Sequence, residues 1–240
     1  MSDRRTRELE RAAASGDPEA RAAWLGARLR AGDLEEERLA LAAWLGDPGA
    51  RLALGCEPEA ERASPAALVR GLARWGREPG RGDDSAALAR PDWRDQLFPR
   101  AALALARVAC AGRGLPGPAQ AALTAAEAWI EHPRLGTAAT AGAAAAALVP
   151  PHAPPPAPEA ALCALAAYHC SAARGSVITI VRLLRAAAQL PLSQAKHAVS
   201  EVGEPAAHMA SVAVARAGEE AVLDALRAAL IPWLLGLSRV

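Results

Sequence analysis

Cysteine and histidine are the residues of this chain best suited to chemistry, and their spacing limits what that chemistry can be. Cys163, His169 and Cys170 share one Ala/Leu-rich stretch, with the two cysteines seven residues apart. On a helix that spacing brings both thiols to one face, as a soft-metal site would require. A closed site needs four ligands, and the chain has no CxxC pair and no second cluster. Cys56 and Cys110 stand apart, and His132, His152, His197 and His208 are dispersed outside any HExxH pattern. The cysteines therefore read as small apolar residues with free thiols, and no metal or other cofactor is expected. No nucleophile elbow, Gly-rich phosphate loop or dinucleotide fingerprint is read in the chain, so an enzyme is not expected. Asp83-Asp84 reads as a solvated loop pair, and Glu35-Glu36-Glu37 as carboxylates favourably placed in a helix first turn. Arg81-Gly82-Asp83 spells an adhesion tripeptide, too short to carry meaning alone.

The elements that must position these residues follow from composition. The 240 residues include 65 Ala and 31 Leu, 40% of the chain, against 15 Val plus Ile, one Phe and one Tyr. Ala and Leu favour helix, while β-branched and aromatic residues favour strands, so the expectation is an all-α fold. Stacked antiparallel helices, about ten to twelve and helical-repeat-like, fit the punctuation of the chain. Ala buries little area, so the six Trp are expected to supply much of the large apolar volume. The net charge of +1 argues against broad nucleic-acid or anionic-membrane binding. Twenty-six of the 27 basic residues are Arg, spread among Glu and Asp as on a solvated, salt-bridged face. The longest charge-free run, between Arg134 and Glu159, is broken by six prolines and is too short to span a bilayer as helix. The chain opens without an apolar leader, and a cytoplasmic location is expected.

One repeat survives the Ala bias. Gly16-Asp17-Pro18-Glu19-Ala20-Arg21 recurs 30 residues later as Gly46-Asp47-Pro48-Gly49-Ala50-Arg51. Gly stops one helix, Asp caps the next, and Pro takes its first position. Asp33 and Glu36 have capping-box spacing and read as a further start. Residues 3–55 thus read as about four short helices, with Trp24 and Trp44 near the ends of successive ones. Ser64-Pro65 starts a helix to about residue 77. The polar stretch 78–91 is a connection, and helices follow at about 100–112, 118–131 and 136–148. The organisation is a short-helix repeat region over 1–78, an Ala-rich region over 92–149, a Pro-rich extended linker over 150–158 and a C-terminal helical region over 159–240. In that last region helices read at about 159–173, 177–189, 192–202, 205–216 and 218–238. The β-branched cluster Val177-Ile178-Thr179-Ile180-Val181 is the one place where a strand competes. Helix is predicted there. Pro191 should break the chain between two helices, with Leu190 and Leu192 pointing inward to lock them together.

Residues 177–200 carry a run that is matched without gaps by a known pattern. It has a β-branched start, Arg185, Leu190 and Leu192, Ala195-Lys196 and Val199. This resembles the helix hairpin in the C-terminal domain of the bacterial ribosomal stalk protein. The chain's solitary lysine falls on that family's lysine. The resemblance implies a helix-turn-helix packing unit whose contact face matches Ile178, Val181, Arg182, Arg185 and Lys196. Pro191 replaces the family's glycine, Ser193 replaces a basic residue, and the family's strands have no counterpart in the flanks. Further upstream, Pro99-Arg100-Ala101-Ala102 and the run Ala121-Ala122-Leu123-Thr124-Ala125-Ala126-Glu127-Ala128-Trp129 resemble an all-α family of bacterial immunity proteins. That resemblance implies a cytoplasmic, non-catalytic protein that binds and blocks a partner protein.

The expectation is a non-enzymatic, all-helical protein–protein interaction protein, with the immunity type as its specific form. The rival is a helical ligand-binding domain or enzyme with a site assembled from dispersed residues such as Cys163, His169 and His197. A concave pocket gathering polar groups would favour the rival.

Overall fold

The structure is a computed structural model, and it describes residues 17–56, 64–76, 91–150, 152, 154–171 and 177–237. Among these, twelve α-helices and no strand are found. They are α1 (Pro18–Ala31), α2 (Glu36–Trp44), α3 (Pro48–Leu54), α4 (Pro65–Gly71), α5 (Trp93–Cys110) and α6 (Gly117–Glu131). Then follow α7 (Leu135–Ala147), α8 (Pro158–His169), α9 (Val177–Ala188), α10 (Leu192–Ser200), α11 (Glu204–Ala217) and α12 (Glu219–Leu234). A short 3-10 turn, Leu72–Arg74, extends α4. The all-α expectation holds, and residues 177–181 are helix. The earliest helix anticipated in 3–55 and the polar connection 78–91 with its Arg81-Gly82-Asp83 and Asp83-Asp84 lie outside the described residues, apart from Pro91.

The chain divides into two compact units, residues 1–62 with 227–240, and residues 63–226. In the first, glycine stops recur. Gly32, Gly46 and Gly55 adopt φ of 77°, 103° and 66°, and close α1, α2 and α3. After each, the next N–H reaches back five residues: Asp33 to Arg28, Asp47 to Ala42 and Cys56 to Arg51. Asp17 and Asp47 then cap α1 and α3, with Pro18 and Pro48 in the first turn, as the repeat predicts. Asp33 does not start α2. The residue before α2 is Glu35, two residues further on, which makes no side-chain cap bond.

Arginines donate to carbonyls at helix ends. Arg51 Nε donates to Ala43 O at 3.0 Å and Arg227 Nε to Leu45 O at 3.1 Å, both at the end of α2. Arg38 donates to Trp233 O at 2.7 Å and Arg28 to Leu235 O, both at the end of α12. Spread-out arginine in this unit is therefore bound to backbone as well as to acids.

The second unit is built around α8, of whose twelve residues nine are buried: Ala160 to Ala167 and His169. A helix apolar all round must be enclosed, and α8 packs against α5, α6, α7 and α9. α11 packs on α4, α5 and α9, with an Arg70–Glu204 ion pair tying α4 to it. α5 begins about seven residues before the sequence estimate, because Asp92 and Asp95 form a reciprocal capping box and Pro99 is accommodated inside the helix. Large core volume comes mainly from leucine. Trp129 is fully enclosed, Trp24 and Trp93 are buried, and Trp44, Trp75 and Trp233 are half-buried.

Candidate functional site

The α9–α10 hairpin concentrates exposed apolar surface. α9 is strongly amphipathic: Ile180, Val181, Leu183, Leu184 and Ala187 are buried at helical spacing, which is why β-branched residues settle as helix here. The opposite face holds Ile178 and Arg185, both exposed. Among the described residues five large apolar side chains are exposed, and three lie on this hairpin: Val177, Ile178 and Leu192.

The turn itself differs from the sequence expectation. α9 ends at Ala188, and Gln189 takes φ of 55°, the one described non-glycine residue with positive φ. Pro191 precedes α10 with its carbonyl accepting from Ala195 N at 3.0 Å. Leu190 is half-buried, and Leu192 is 46% exposed rather than a lock between helices. It sits at the first position of α10, where its side chain clears the packed face. Ala195 and Ala198 are the residues α10 buries.

The five positions singled out from sequence separate. Ile178, Arg185 and Lys196 are exposed. Val181 is in the core at 6% exposure. Arg182 is half-buried, with one guanidinium nitrogen 2.9 Å from Pro150 O and 3.4 Å from Val149 O, so it anchors α9 to the start of the proline run.

Two grooves flank the hairpin. One, of about 340 Å³, is lined by Pro155, Arg182, Arg185, Ala186, Gln189 and Leu190. The other, of about 430 Å³ between α10 and α11, is lined by Ser193, Gln194, His197, Ala198, Glu204 and His208. There His208 Nε2 lies 3.8 Å from Glu204 Oε2. Burial lowers the His208 pKa, against the pull of Glu204 and with the help of Arg70, so its imidazole favours the neutral form.

Cys163, His169 and His197 do not form one cluster. Cys163 and His169 are buried on α8, while His197 is exposed in the α10/α11 groove. The thiols of Cys163 and Cys170 are both buried, and Cys170 Sγ lies 3.8 Å from Ala126 O. Burial pushes the Cys170 thiol far up, leaving it inert. Among the described residues no three His, Cys, Asp or Glu gather as metal ligands. A glycine pattern escapes the sequence reading: Gly112, Gly114 and Gly117 are spaced as GxGxxG, but α5, not a strand, precedes them.

In α6, the Ala-rich run ending in Trp129 faces inward through Ala122, Leu123, Ala125, Ala126 and Trp129, and Glu127 pairs outward with Arg107 at 2.7 Å. No described helix is long and apolar enough to cross a membrane. The chain matches no family model, no curated protein and no solved structure.

Proposed function

We propose that this is a non-enzymatic protein-binding protein of the cytoplasm, of the immunity type, which blocks a partner protein through the α9–α10 hairpin. The observation that carries the reading is the placement on that hairpin of three of the five large apolar side chains exposed among the described residues, alongside Arg185 and Lys196. Ile178, at 69% exposure, is the anchor, and Arg185 and Lys196 supply orientation. Val181 and Arg182 support the face from beneath. The all-α scaffold and the inward-facing α6 run are consistent with an immunity-type protein, in which helices hold a surface rather than a reaction centre.

The rival reading, a helical ligand-binding domain, draws on the α10/α11 groove, where Ser193, Gln194, His197, Glu204 and His208 converge. Affinity capture from the native organism separates the two. Tagged wild-type protein should retain a protein partner that Ile178→Asp with Lys196→Glu loses, while circular dichroism of the two stays the same. Retention of the same partner at equal affinity would remove the hairpin from the interface. Loss of the partner on His197→Ala or His208→Ala alone would move the site to the groove.

A further inference from the structure

We infer that the groove beside α9 is a carboxylate-recognition site, which takes an Asp or Glu side chain from an acidic, partly apolar segment of the partner protein. The inference rests on the hairpin reading above and adds the chemistry of the partner. Between Glu159 and Glu201 the chain has no carboxylate for 41 residues, yet it carries Arg174, Arg182, Arg185 and Lys196. Outside that interval 23 basic residues stand against 26 acidic ones, so the near-neutral total hides a cationic stretch in a net acidic remainder. Elsewhere in the same unit arginines are matched with carboxylates: Arg70 with Glu204, Arg107 with Glu127, and Arg113 and Arg216 with Glu159. Arg185 and Lys196 are exposed and form no hydrogen bond or ion pair among the described residues.

Geometry turns that charge into a site. Ile178, Arg182, Arg185 and Gln189 follow one another at i, i+4, i+7 and i+11, along one face of α9 and its end. The groove of about 340 Å³ runs along the second half of this stripe, with Pro155 on its other side. Arg182 is fixed there by its bonds to Pro150 O and Val149 O, so one guanidinium is oriented before an anion arrives. Arg185 and the Gln189 amide bring further donors, and a guanidinium matches a carboxylate with two parallel bonds. Ile178, 69% exposed, lies about 10 Å from Arg185 by the rise of the helix. The segment that fits therefore presents an apolar and an acidic side chain about that far apart.

Other anionic occupants match this face less well. Residues 177–200 include no aromatic side chain on which a base could stack. Arg185 and Lys196, the exposed cations of the hairpin, fall short of the roughly four to eight that hold a protein on an anionic membrane. A second copy of the hairpin would set like charges against each other.

The test titrates the isotope-labelled full chain with a synthetic helical peptide carrying Leu and Glu on one face, read at the Arg185 Nε–H and Ile178 methyl NMR signals. Both signals should shift with the Glu peptide, and its Gln counterpart should bind about tenfold more weakly. Arg185→Gln, a change at an exposed side chain, should weaken the Glu peptide by a similar factor and leave the Gln peptide unaffected. Added salt should weaken the Glu peptide alone. Equal binding of both peptides, with the Ile178 signal moving, overturns the carboxylate site and leaves the hairpin as the docking face. Silence at Arg185 with millimolar Glu peptide overturns it too, and the capture experiment then judges the hairpin separately. Inorganic phosphate shifting Arg185 as readily as the peptide would reduce the groove to an unselective anion site. Tighter binding of oligothymidylate or of phosphatidylserine vesicles would give the face to nucleic acid or to membrane, and either result overturns the proposal.

Discussion

The connection from α2 to α3 and the connection from α9 to α10 both turn the chain between short helices beside a proline, with opposite local chemistry. At the first, Gly46 takes the left-handed conformation at φ 103° and Asp47 caps α3 through a 2.8 Å bond from Ala50 N. Asp47 is only 3% exposed, and its other oxygen receives Arg21 at 3.0 Å. Arg21 belongs to the first copy of the repeat and Asp47 to the second, so the copies are joined by their own motif. Gly49 makes the room: a Cβ there would stand 2.7 Å from Arg21 Cγ. At the second connection Gln189 takes the left-handed conformation without glycine's freedom, no side chain caps α10, and Leu192 faces outward. One joint is a structural clamp whose glycine, cap and proline each take a favoured conformation. The other tolerates local strain and leaves apolar surface exposed, as surfaces used for recognition do.

Breaking the clamp should have the largest effect. Asp47→Ala removes a cap and leaves the partly buried Arg21 without its anion, and should cost about 3 kcal/mol in urea unfolding. A cost under about 1 kcal/mol would mean the joint is no clamp. Gly46→Ala should destabilise by about 1–2 kcal/mol, because a Cβ at positive φ is strained. The space there is ordinary, the nearest side-chain atom being 3.6 Å away on Arg227, so the cost is one of backbone conformation. The matching change at the other joint should act with opposite sign. Gln189→Gly should stabilise by about 0.5–1 kcal/mol, read as a higher urea midpoint; an unchanged or lower midpoint would show that Gln189 is at ease there.

Smallest are the surface changes. Leu192→Ala should cost less than about 1 kcal/mol, well below a buried leucine, since nearly half its surface is already in water. Lys196→Ala should stay within about 0.5 kcal/mol of wild type by thermal melting. If either costs as much as Asp47→Ala, the hairpin is clamped like the repeat, and its outward face is not available to a partner.

What the sequence determined by itself lies within a few residues of each signal. Asp17-Pro18, Asp47-Pro48 and Ser64-Pro65 place helix starts, because a cap and a proline act on the turn they adjoin. The excess of Ala and Leu excludes sheet, and the period of α9 is legible despite its β-branched residues. Asp33 shows the limit even at short range: α2 starts at Glu36, so Asp33 stands two residues ahead of the cap position and capping-box spacing did not make it a cap. Of the candidate face, Ile178, Arg185 and Lys196 are exposed and Val181 is buried, while Leu192, read as pointing inward, is exposed. Side-chain exposure at a helix end depends on which neighbouring helices pack there, and α8 and α11 lie outside α9's own pattern. The same holds for α5 and α8, which α6 and α7 separate in sequence. The burial of α8 against α5 is a choice made by packing area among many similar Ala-rich faces, which no local spacing encodes.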